Sequence, residues 1–115
     1  MYKYKTFNNI AADGISILTK NKFDEVSEKP DGLLLRSHKL ALQELEDNLL
    51  CIARAGAGTN NIPIEEATKK GIVVFNTPGA NANAVKELVI CGMLLSSRGI
   101  IEGIDFAKNL GGQNA

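Results

Sequence analysis

The stretch RAGAGTNNIPIEEATKKGIVVFNTPGANANAVKELV, residues 54–89, contains the clearest signals of secondary structure in this sequence. Asn61 or Ile62 can cap a helix, Pro63 suits its first turn, and two glutamates follow near the positive end of the helix dipole. Two lysines and Gly71 suit the end of the same helix, and the apolar run GIVVFN begins at that glycine. The stretch therefore predicts a helix that leads directly into a strand.

Strand-like runs also occur before this stretch, and together they indicate the class of fold. The strong runs are KYKTFN, GLLLRS, LLCIARAG and GIVVFN, and a weaker one is KFDEVS. Two of them are almost continuously apolar, which is typical of strands that are covered on both faces. Segments with a helical pattern lie between most of the runs. We therefore predict an α/β domain in three layers, with a parallel sheet and helices on both of its faces.

The last third of the chain changes character after one long apolar helix. Pro78 and Gly79 turn the chain, and a helix is predicted from about Val85 onward. That helix is apolar on nearly every side, so we expect its own domain to cover one face and something else to cover the other. Beyond Arg98, glycines lower the helical propensity and no further strand follows. We therefore interpret the chain as the front part of a longer protein.

Composition argues against several classes of partner. Thirteen Lys and Arg balance thirteen Asp and Glu, which argues against broad electrostatic binding of nucleic acid or of an anionic membrane. The longest apolar run, residues 88–95, is far shorter than the roughly 20 residues that span a bilayer. Cys51 and Cys91 have no C-x-x-C spacing, and no signal peptide precedes Ile10. We therefore expect a cytoplasmic protein with two reduced thiols in its core.

Arg36 and Ser37 are candidates for an anion site. They stand where the run GLLLRS ends, and ligands of open parallel sheets gather outside the carboxyl ends of the strands. A guanidinium can bind a phosphate or a carboxylate through two hydrogen bonds, and a hydroxyl can donate one more. Alternatively, Arg36 is a solvated surface charge and Ser37 caps the next turn.

The turn Gly56-Ala57-Gly58 is a second candidate. Small residues let a ligand approach the backbone, and successive amides can hold a carboxylate. The turn nearly matches the dinucleotide fingerprint G-x-G-x-x-G, but Asn61 stands in place of the third glycine, so the fingerprint is incomplete. A tight strand-to-helix turn without any ligand explains the same residues equally well.

The single histidine, His38, invites a catalytic interpretation that the sequence does not support. It has no motif partner that would make it a metal ligand or a general base. We interpret it as a solvated residue or as one that flanks a substrate. No metal site is predicted.

These motifs together resemble a known family. The run ARAGAGTNNIPIEEATKKGIVVFNTPGANANAVKEL, with DGLLLRS before it, resembles the amino-terminal substrate-binding segment of the D-isomer-specific 2-hydroxyacid dehydrogenases, and among them the phosphoglycerate dehydrogenases. The resemblance covers residues 31–98 and implies a flavodoxin-like sheet of strand order 2-1-3-4-5 that ends in a long interdomain helix. It also implies that residues 1–98 are the substrate-binding domain. Residues 99–115 are then a linker or tail toward an NAD-binding Rossmann domain that this chain lacks.

The resemblance assigns roles at the phosphate side of the substrate. Arg36 and Ser37 resemble the residues that bind the phosphate, and Arg54 is a neighbour of that group. Asn81, after the NTPG turn, resembles an asparagine that contacts the substrate.

Other roles concern the substrate carboxylate and the cofactor. The amides of Ala57 and Gly58 resemble those that hold the carboxylate, and Ala57 also approaches the nicotinamide end of NAD. Two departures from the family are visible: Ala57 replaces a common threonine, and Asn60 replaces an aspartate of many members.

The resemblance implies oxidation of 3-phosphoglycerate to 3-phosphohydroxypyruvate in serine biosynthesis, with NAD accepting the hydride. The catalytic Arg, Glu and His of the family lie downstream and have no match here, so no catalytic residue is assigned. We expect the chain to bind a phosphorylated hydroxy acid, to be inactive alone and to come from a homo-oligomer. Two alternatives remain: a stand-alone, non-catalytic anion-binding or interaction module, and a glycerate or lactate dehydrogenase, whose substrates have no phosphate for Arg36 and Ser37.

Overall fold

The computed structural model describes residues 1–111, and its central element is a five-stranded parallel sheet. The order of the strands is β2-β1-β3-β4-β5. This order and the parallel pairing confirm the predicted flavodoxin-like fold and all five predicted strands. The strands are β1 (Lys3–Thr6), β2 (Asp24–Glu25), β3 (Gly32–Leu35), β4 (Cys51–Arg54) and β5 (Val73–Phe75).

Within the described residues, four helices and one 3₁₀ turn connect or follow the strands. The 3₁₀ turn (Leu42–Glu44) lies between β3 and β4. Residues 1–80 form one compact unit that contains the whole sheet, and the described residues from Asn81 to Gly111 form a second unit. The helices are α1 (Ala12–Lys20), α2 (Ile64–Lys69), α3 (Ala82–Ser97) and α4 (Ile100–Asn109).

The main hydrophobic core lies on one face of the sheet. Side chains alternate between the two faces of a strand, so Leu33 and Leu35 of β3 point to the same face, where they are buried with Ile52 of β4. Ala67 of α2 completes this core without any exposed surface. The core residues are Leu33, Leu35, Leu40, Leu45, Leu49, Ile52, Ile62, Ala67 and Ile72.

Helix α1 lies on the opposite face of the sheet, but none of its residues is buried, so this face is only partly covered. Leu18 of that helix lines an apolar cavity of about 320 Å³ together with Leu34 and Ala53, which point away from the main core. From β1 the chain first adds β2 on one side and then adds β3, β4 and β5 on the other side. Because the connections are right-handed, this reversal places α1 and α2 on opposite faces of the sheet. The three-layer arrangement predicted from the sequence follows from this reversal.

Helix α2 agrees with its sequence signals, with a shift of one residue or two at its start. Pro63 is the N-cap residue, not part of the first turn, and Lys70 is the C-cap. Gly71 follows with a φ of 72°, a left-handed conformation that glycine adopts without strain. The chain then turns into β5.

The carboxyl-terminal unit differs from the prediction in two ways. Helix α3 begins at Ala82, three residues before the predicted start, and a further helix, α4, follows it. The break between the two falls at Gly99, which has a φ of 56° and is the N-cap of α4. The sequence showed this glycine only as a weak helix former, whereas it separates two helices. The last residues of the predicted tail, 112–115, lie outside the described residues, and the division at residues 98 and 99 stays a prediction.

The side chains of α3 are mostly exposed, and this includes Leu88 at 73% and Met93 at 65%. Cys91 is exposed as well, so the expectation that it lies in the core was wrong. Among residues 1–111, no helix has both the length and the apolar character that crossing a membrane requires.

Candidate functional site

The loops after β3 and β4 lie side by side at the carboxyl edge of the sheet. Leu35 pairs with Arg54 as the last residues of the two strands. The amide of Ala55 donates to the carbonyl of Leu35 at 2.8 Å, which extends the pairing beyond the strands. The residues predicted on these two loops are therefore brought together at one edge.

Asn8, in the loop after β1, fixes the backbone of the loop after β3. Its side-chain Oδ1 accepts hydrogen bonds from the amides of Arg36, Ser37 and His38 at 3.2, 3.0 and 2.9 Å. Asn8 has a φ of 69°, a left-handed conformation that asparagine tolerates better than most residues. Three consecutive amides thus share one acceptor.

Asn61 fixes the same loop from the other side. Its Nδ2 donates to the carbonyls of Arg36 and His38 at 3.1 and 2.7 Å, and the side chain is buried. The Oδ1 of Asn61 is buried without a hydrogen-bond partner among the described residues. With amides and carbonyls engaged by Asn8 and Asn61, this loop has mainly its side chains to offer to a ligand.

Those side chains include the first two predicted site residues. Arg36 and Ser37 are both exposed. The Nη1 of Arg36 donates to the carbonyl of Asn9 at 3.4 Å, which is a weak contact that leaves most of the guanidinium donors available.

The turn after β4 offers backbone amides to a ligand instead of side chains. Ala57 and Gly58 are exposed, and their amides donate to no residue in the described part of the chain. The carbonyl side of the turn is held instead, because Asn76 Nδ2 donates to Ala57 at 2.8 Å and the Thr77 amide donates to Gly56 at 3.0 Å. The turn thus presents free donors to solvent, as a carboxylate site requires.

Arg54 lies inside this turn. Its Nη1 donates to the carbonyl of Gly58 and, at 3.3 Å, to Oδ1 of Asn60, while its Nε is buried without a partner. A Cβ atom on Gly56 or Gly58 would come within 3.1 or 3.2 Å of this side chain. The glycines therefore make room for the guanidinium. The contact of Arg54 with a substrate phosphate stays a prediction.

The residues around Gly56 and Gly58 can be compared with those that bind the pyrophosphate of NAD in a dinucleotide fingerprint. Arg54 fills the space in which a side chain at residue 56 or 58 would lie. The residue in place of the third glycine, Asn61, is buried and engaged with the loop after β3. With Asn61 in place of the third glycine, the turn lacks the full set of glycines that a dinucleotide pyrophosphate site uses. The approach of NAD to Ala57 stays a prediction.

His38 is held by a carboxylate and an aromatic ring. Its Nε2 lies 3.0 and 3.1 Å from the two carboxylate oxygens of Glu44, and its ring stacks on Phe7 with centroids 4.2 Å apart. Glu44 also accepts the amide of Ala41 at 2.8 Å. These contacts stabilise the segment between β3 and the 3₁₀ turn.

The remaining candidate, Asn81, belongs to the second unit. It is the N-cap residue of α3, where its carbonyl accepts the amide of Val85 at 3.0 Å and its side chain makes no capping bond. Its contact with a substrate stays a prediction.

The sequence did not identify Asn8 and Asn61 as parts of this site. Asn61 was considered only as a helix cap and as a mismatch in the fingerprint. Asn8 follows β1 in an Asn-Asn pair, and asparagine is enriched at left-handed positions, so this pair was a usable signal of a structured loop.

Near these loops, the described residues support neither a metal site nor a reactive cysteine. The described residues contain no group of three side chains suited to a metal ion. Burial raises the pKa of the Cys51 thiol, with a smaller contribution from Asp31, and this thiol lies at the first residue of β4, at the opposite edge of the sheet.

Comparison with known proteins places these loops in a family context. The family model described as D-isomer specific 2-hydroxyacid dehydrogenase, catalytic domain, matches residues 6–109. A hydroxypyruvate reductase of Thermotoga maritima is 40% identical over 86 residues, which are 72% of this chain and 28% of the relative. A D-3-phosphoglycerate dehydrogenase of Methanocaldococcus jannaschii is 38% identical over 86 residues, which are 72% of this chain and 16% of the relative.

A solved structure gives the same result. The NAD+-bound 3-phosphoglycerate dehydrogenase of Entamoeba histolytica superposes with a TM-score of 0.69 at 31% identity, covering 82% of this chain and 38% of the other. This chain spans less than a third of the length of the two curated relatives. Their different names, at nearly equal identity, leave the substrate open. The matched residues and the strand order show that the chain belongs to the D-isomer specific 2-hydroxyacid dehydrogenase family.

Proposed function

We propose that this chain is the substrate-binding part of an NAD-dependent dehydrogenase that oxidises 3-phosphoglycerate to 3-phosphohydroxypyruvate. The observation that carries the proposal is that two loops on neighbouring strands offer different groups suited to binding anions. Residues 36–38 offer a cationic side chain and a hydroxyl, and the turn after β4 offers free amides. A substrate with a phosphate at one end and a carboxylate at the other matches this pair.

The phosphate end belongs to Arg36 and Ser37 in this proposal. The guanidinium fork of Arg36 fits two phosphate oxygens, and the Ser37 hydroxyl donates to a third. Both side chains are exposed on a loop whose backbone is already held in place by Asn8 and Asn61.

The carboxylate end belongs to the amides of Ala57 and Gly58. Arg54, which we also propose as a neighbour of the phosphate, contacts Gly58, and its positive charge favours an anion at the turn. Asn60 accepts a hydrogen bond from Arg54 without neutralising it, whereas an aspartate there would cancel the charge. Asn81 is proposed to contact the same substrate.

Binding at both ends fixes the carbon that bears the substrate hydroxyl, and this orientation is the contribution of the chain to catalysis. In this proposal NAD, the hydride acceptor, and the group that removes the proton belong to another part of the enzyme. Ala57 is proposed to approach the nicotinamide end of NAD. Assembly as a homo-oligomer in the cytoplasm is part of the same proposal.

A second candidate, reduction of hydroxypyruvate, is favoured by the 40% identity to the Thermotoga maritima reductase. Hydroxypyruvate and its product glycerate have a carboxylate but no phosphate. They would use the turn after β4 and leave Arg36 without a ligand.

Ligand titration of the 115-residue chain, followed by backbone NMR shifts, distinguishes these candidates. We expect 3-phosphoglycerate to bind more tightly than glycerate. Arg36→Gln should weaken binding of 3-phosphoglycerate by about tenfold to a hundredfold, because a charge-assisted contact to the phosphate is lost. Binding of glycerate should stay within about twofold of the unmodified chain.

Arg98→Gln is the matched control, because it removes the same charge at the C-cap of α3 and should leave both affinities unchanged. Equal affinity for the two ligands, with no effect of Arg36→Gln, would favour the hydroxypyruvate candidate. Absence of binding by either anion would favour the stand-alone interaction module instead.

A further inference from the structure

We propose that Asn8 is a positioning residue for the phosphate end of the substrate site, an inference that rests on the proposed function. It acts by holding the backbone of residues 36–38 in one shape before any ligand arrives. Asn8 lies on the loop after β1, which the sequence did not connect with substrate binding.

The first step of the argument concerns the three amides that converge on Asn8. Consecutive amides pointing at one place form a concave nest that normally attracts an anion. Here the nest is filled by the neutral Oδ1 of Asn8, at 3.2, 3.0 and 2.9 Å from the three nitrogens. The loop therefore needs no phosphate to satisfy its backbone, and a phosphate has to be bound by the side chains.

The second step concerns the side chain of Arg36. Its Nη1 contacts the carbonyl of Asn9, the residue next to Asn8. The loop after β1 thus holds the backbone of Arg36 through Asn8, whereas its contact with the guanidinium through Asn9 is weak. Backbone freedom of residues 36–38 that would be lost on binding is already restricted, which raises the affinity for a ligand of the right shape.

The third step concerns Asn61, which holds the opposite side of the same backbone through two hydrogen bonds. Asn61 is buried, so replacing it would disturb the core. Asn8 is exposed and already has a left-handed backbone, so glycine can replace it without strain. Asn8 is therefore the residue whose positioning effect can be tested separately from folding.

The test compares 3-phosphoglycerate with glycerate on the 115-residue chain and on Asn8→Gly. We expect the substitution to weaken binding of 3-phosphoglycerate by about tenfold and to leave glycerate within about twofold. Shifts of the Ala57 and Gly58 amides report the carboxylate end in both titrations. Lys22→Gly is the matched control, because Lys22 is exposed and has a similar left-handed backbone, with a φ of 64°, outside these loops. It should leave the affinities for both ligands within about twofold.

Equal weakening of both ligands by Asn8→Gly would overturn the proposal, because it would indicate a general structural role. Unchanged or tighter binding of 3-phosphoglycerate would also overturn it, the latter because phosphate would then use the vacated nest. An unmodified chain with no preference for 3-phosphoglycerate overturns the proposed function itself, and the inference with it.

Hydrogen exchange on the unmodified chain provides a measurement that does not depend on the folding of a variant. The amides of residues 36–38 should exchange slowly without ligand. Adding 3-phosphoglycerate should leave their exchange rates nearly unchanged, although it shifts the amide resonances of Ala57 and Gly58. If the ligand instead displaces the Asn8 side chain, the NH₂ resonances of Asn8 will shift and the three amides will become more protected from exchange. That result would overturn the proposal.

Discussion

At the scale of single residues, Gly58 is required by the position of a neighbouring side chain and not by its own backbone. The glycines with positive φ in the described chain are Gly71, Gly79 and Gly99, and Gly58 is not among them. A Cβ at residue 58 would lie 3.2 Å from Nη1 of Arg54 and 3.3 Å from Oδ1 of Asn60. The guanidinium cannot move away without losing its bond to the Gly58 carbonyl.

We therefore expect Gly58→Ala to lower the free energy of unfolding by about 1–3 kcal/mol, because the added methyl group overfills a packed turn. In an Arg54→Ala background the same change should be at least about 0.5 kcal/mol less costly. Urea unfolding of the four members of this cycle measures the coupling.

Gly14→Ala is the control for the glycine effect alone. Gly14 lies in α1, and a Cβ there would meet no atom within 4 Å. This substitution should raise stability by up to about 1 kcal/mol, since alanine is the better helix former. Equal costs for Gly58→Ala with and without Arg54 would contradict the packing argument.

At the scale of elements, β4 and β5 show how unequal the two faces of the sheet are. Ile52 of β4 is 0% exposed within the main core, whereas Val73 of β5 is 52% exposed. Both are β-branched side chains on paired strands, so they form a matched comparison.

Ile52→Ala should lower the free energy of unfolding by about 2–5 kcal/mol, because it leaves a cavity in a closed core. Val73→Ala should cost about 1 kcal/mol or less. Chemical unfolding at one temperature measures both differences. Similar losses for the two substitutions would contradict the one-sided core.

The elements of the sheet were predictable because their signals are local. GLLLRS and GIVVFN are short apolar runs with turn residues at their ends, and α2 has acidic and basic residues at the proper ends. Helix α4 was missed because Gly103 lies inside it, and local propensity argues against a helix there.

The site was predictable only in part. Arg36, Ser37, Ala57 and Gly58 follow strands, and strand ends meet at one edge of a parallel sheet. The hydrogen bonds of Asn8 span 28 to 30 residues of sequence, and those of Asn61 span 23 and 25. No local pattern contains such pairings, so the sequence indicates a structured loop at Asn8 but not that Asn8 and Asn61 hold the loop after β3.

At the scale of the whole molecule, helix α3 predicts how the chain behaves in solution. Val85, Leu88, Val89 and Met93 all have more than half of their surface exposed. Exposed apolar surface of this kind is typical of a site that another protein surface covers.

We expect the 115-residue chain to associate as its concentration rises, and the double substitution Leu88→Lys with Met93→Lys to reduce this association. Sedimentation velocity over a range of concentrations measures it. Ser97→Lys, in the same helix, is the control and should have no effect. A single defined oligomer would favour the stand-alone module, whereas a monomer at all concentrations would contradict the expectation.

The main core lies on one face of the sheet, and this arrangement also affects how the stability of the chain depends on temperature. Unfolding raises the heat capacity mainly by bringing apolar side chains into water. Val73, Phe75 and the apolar side chains of α3 are already largely in water in the folded chain, so they add little to this increase. The stability curve of the isolated chain should therefore be shallow, with cold and heat changing its stability less steeply than in a domain with both faces covered.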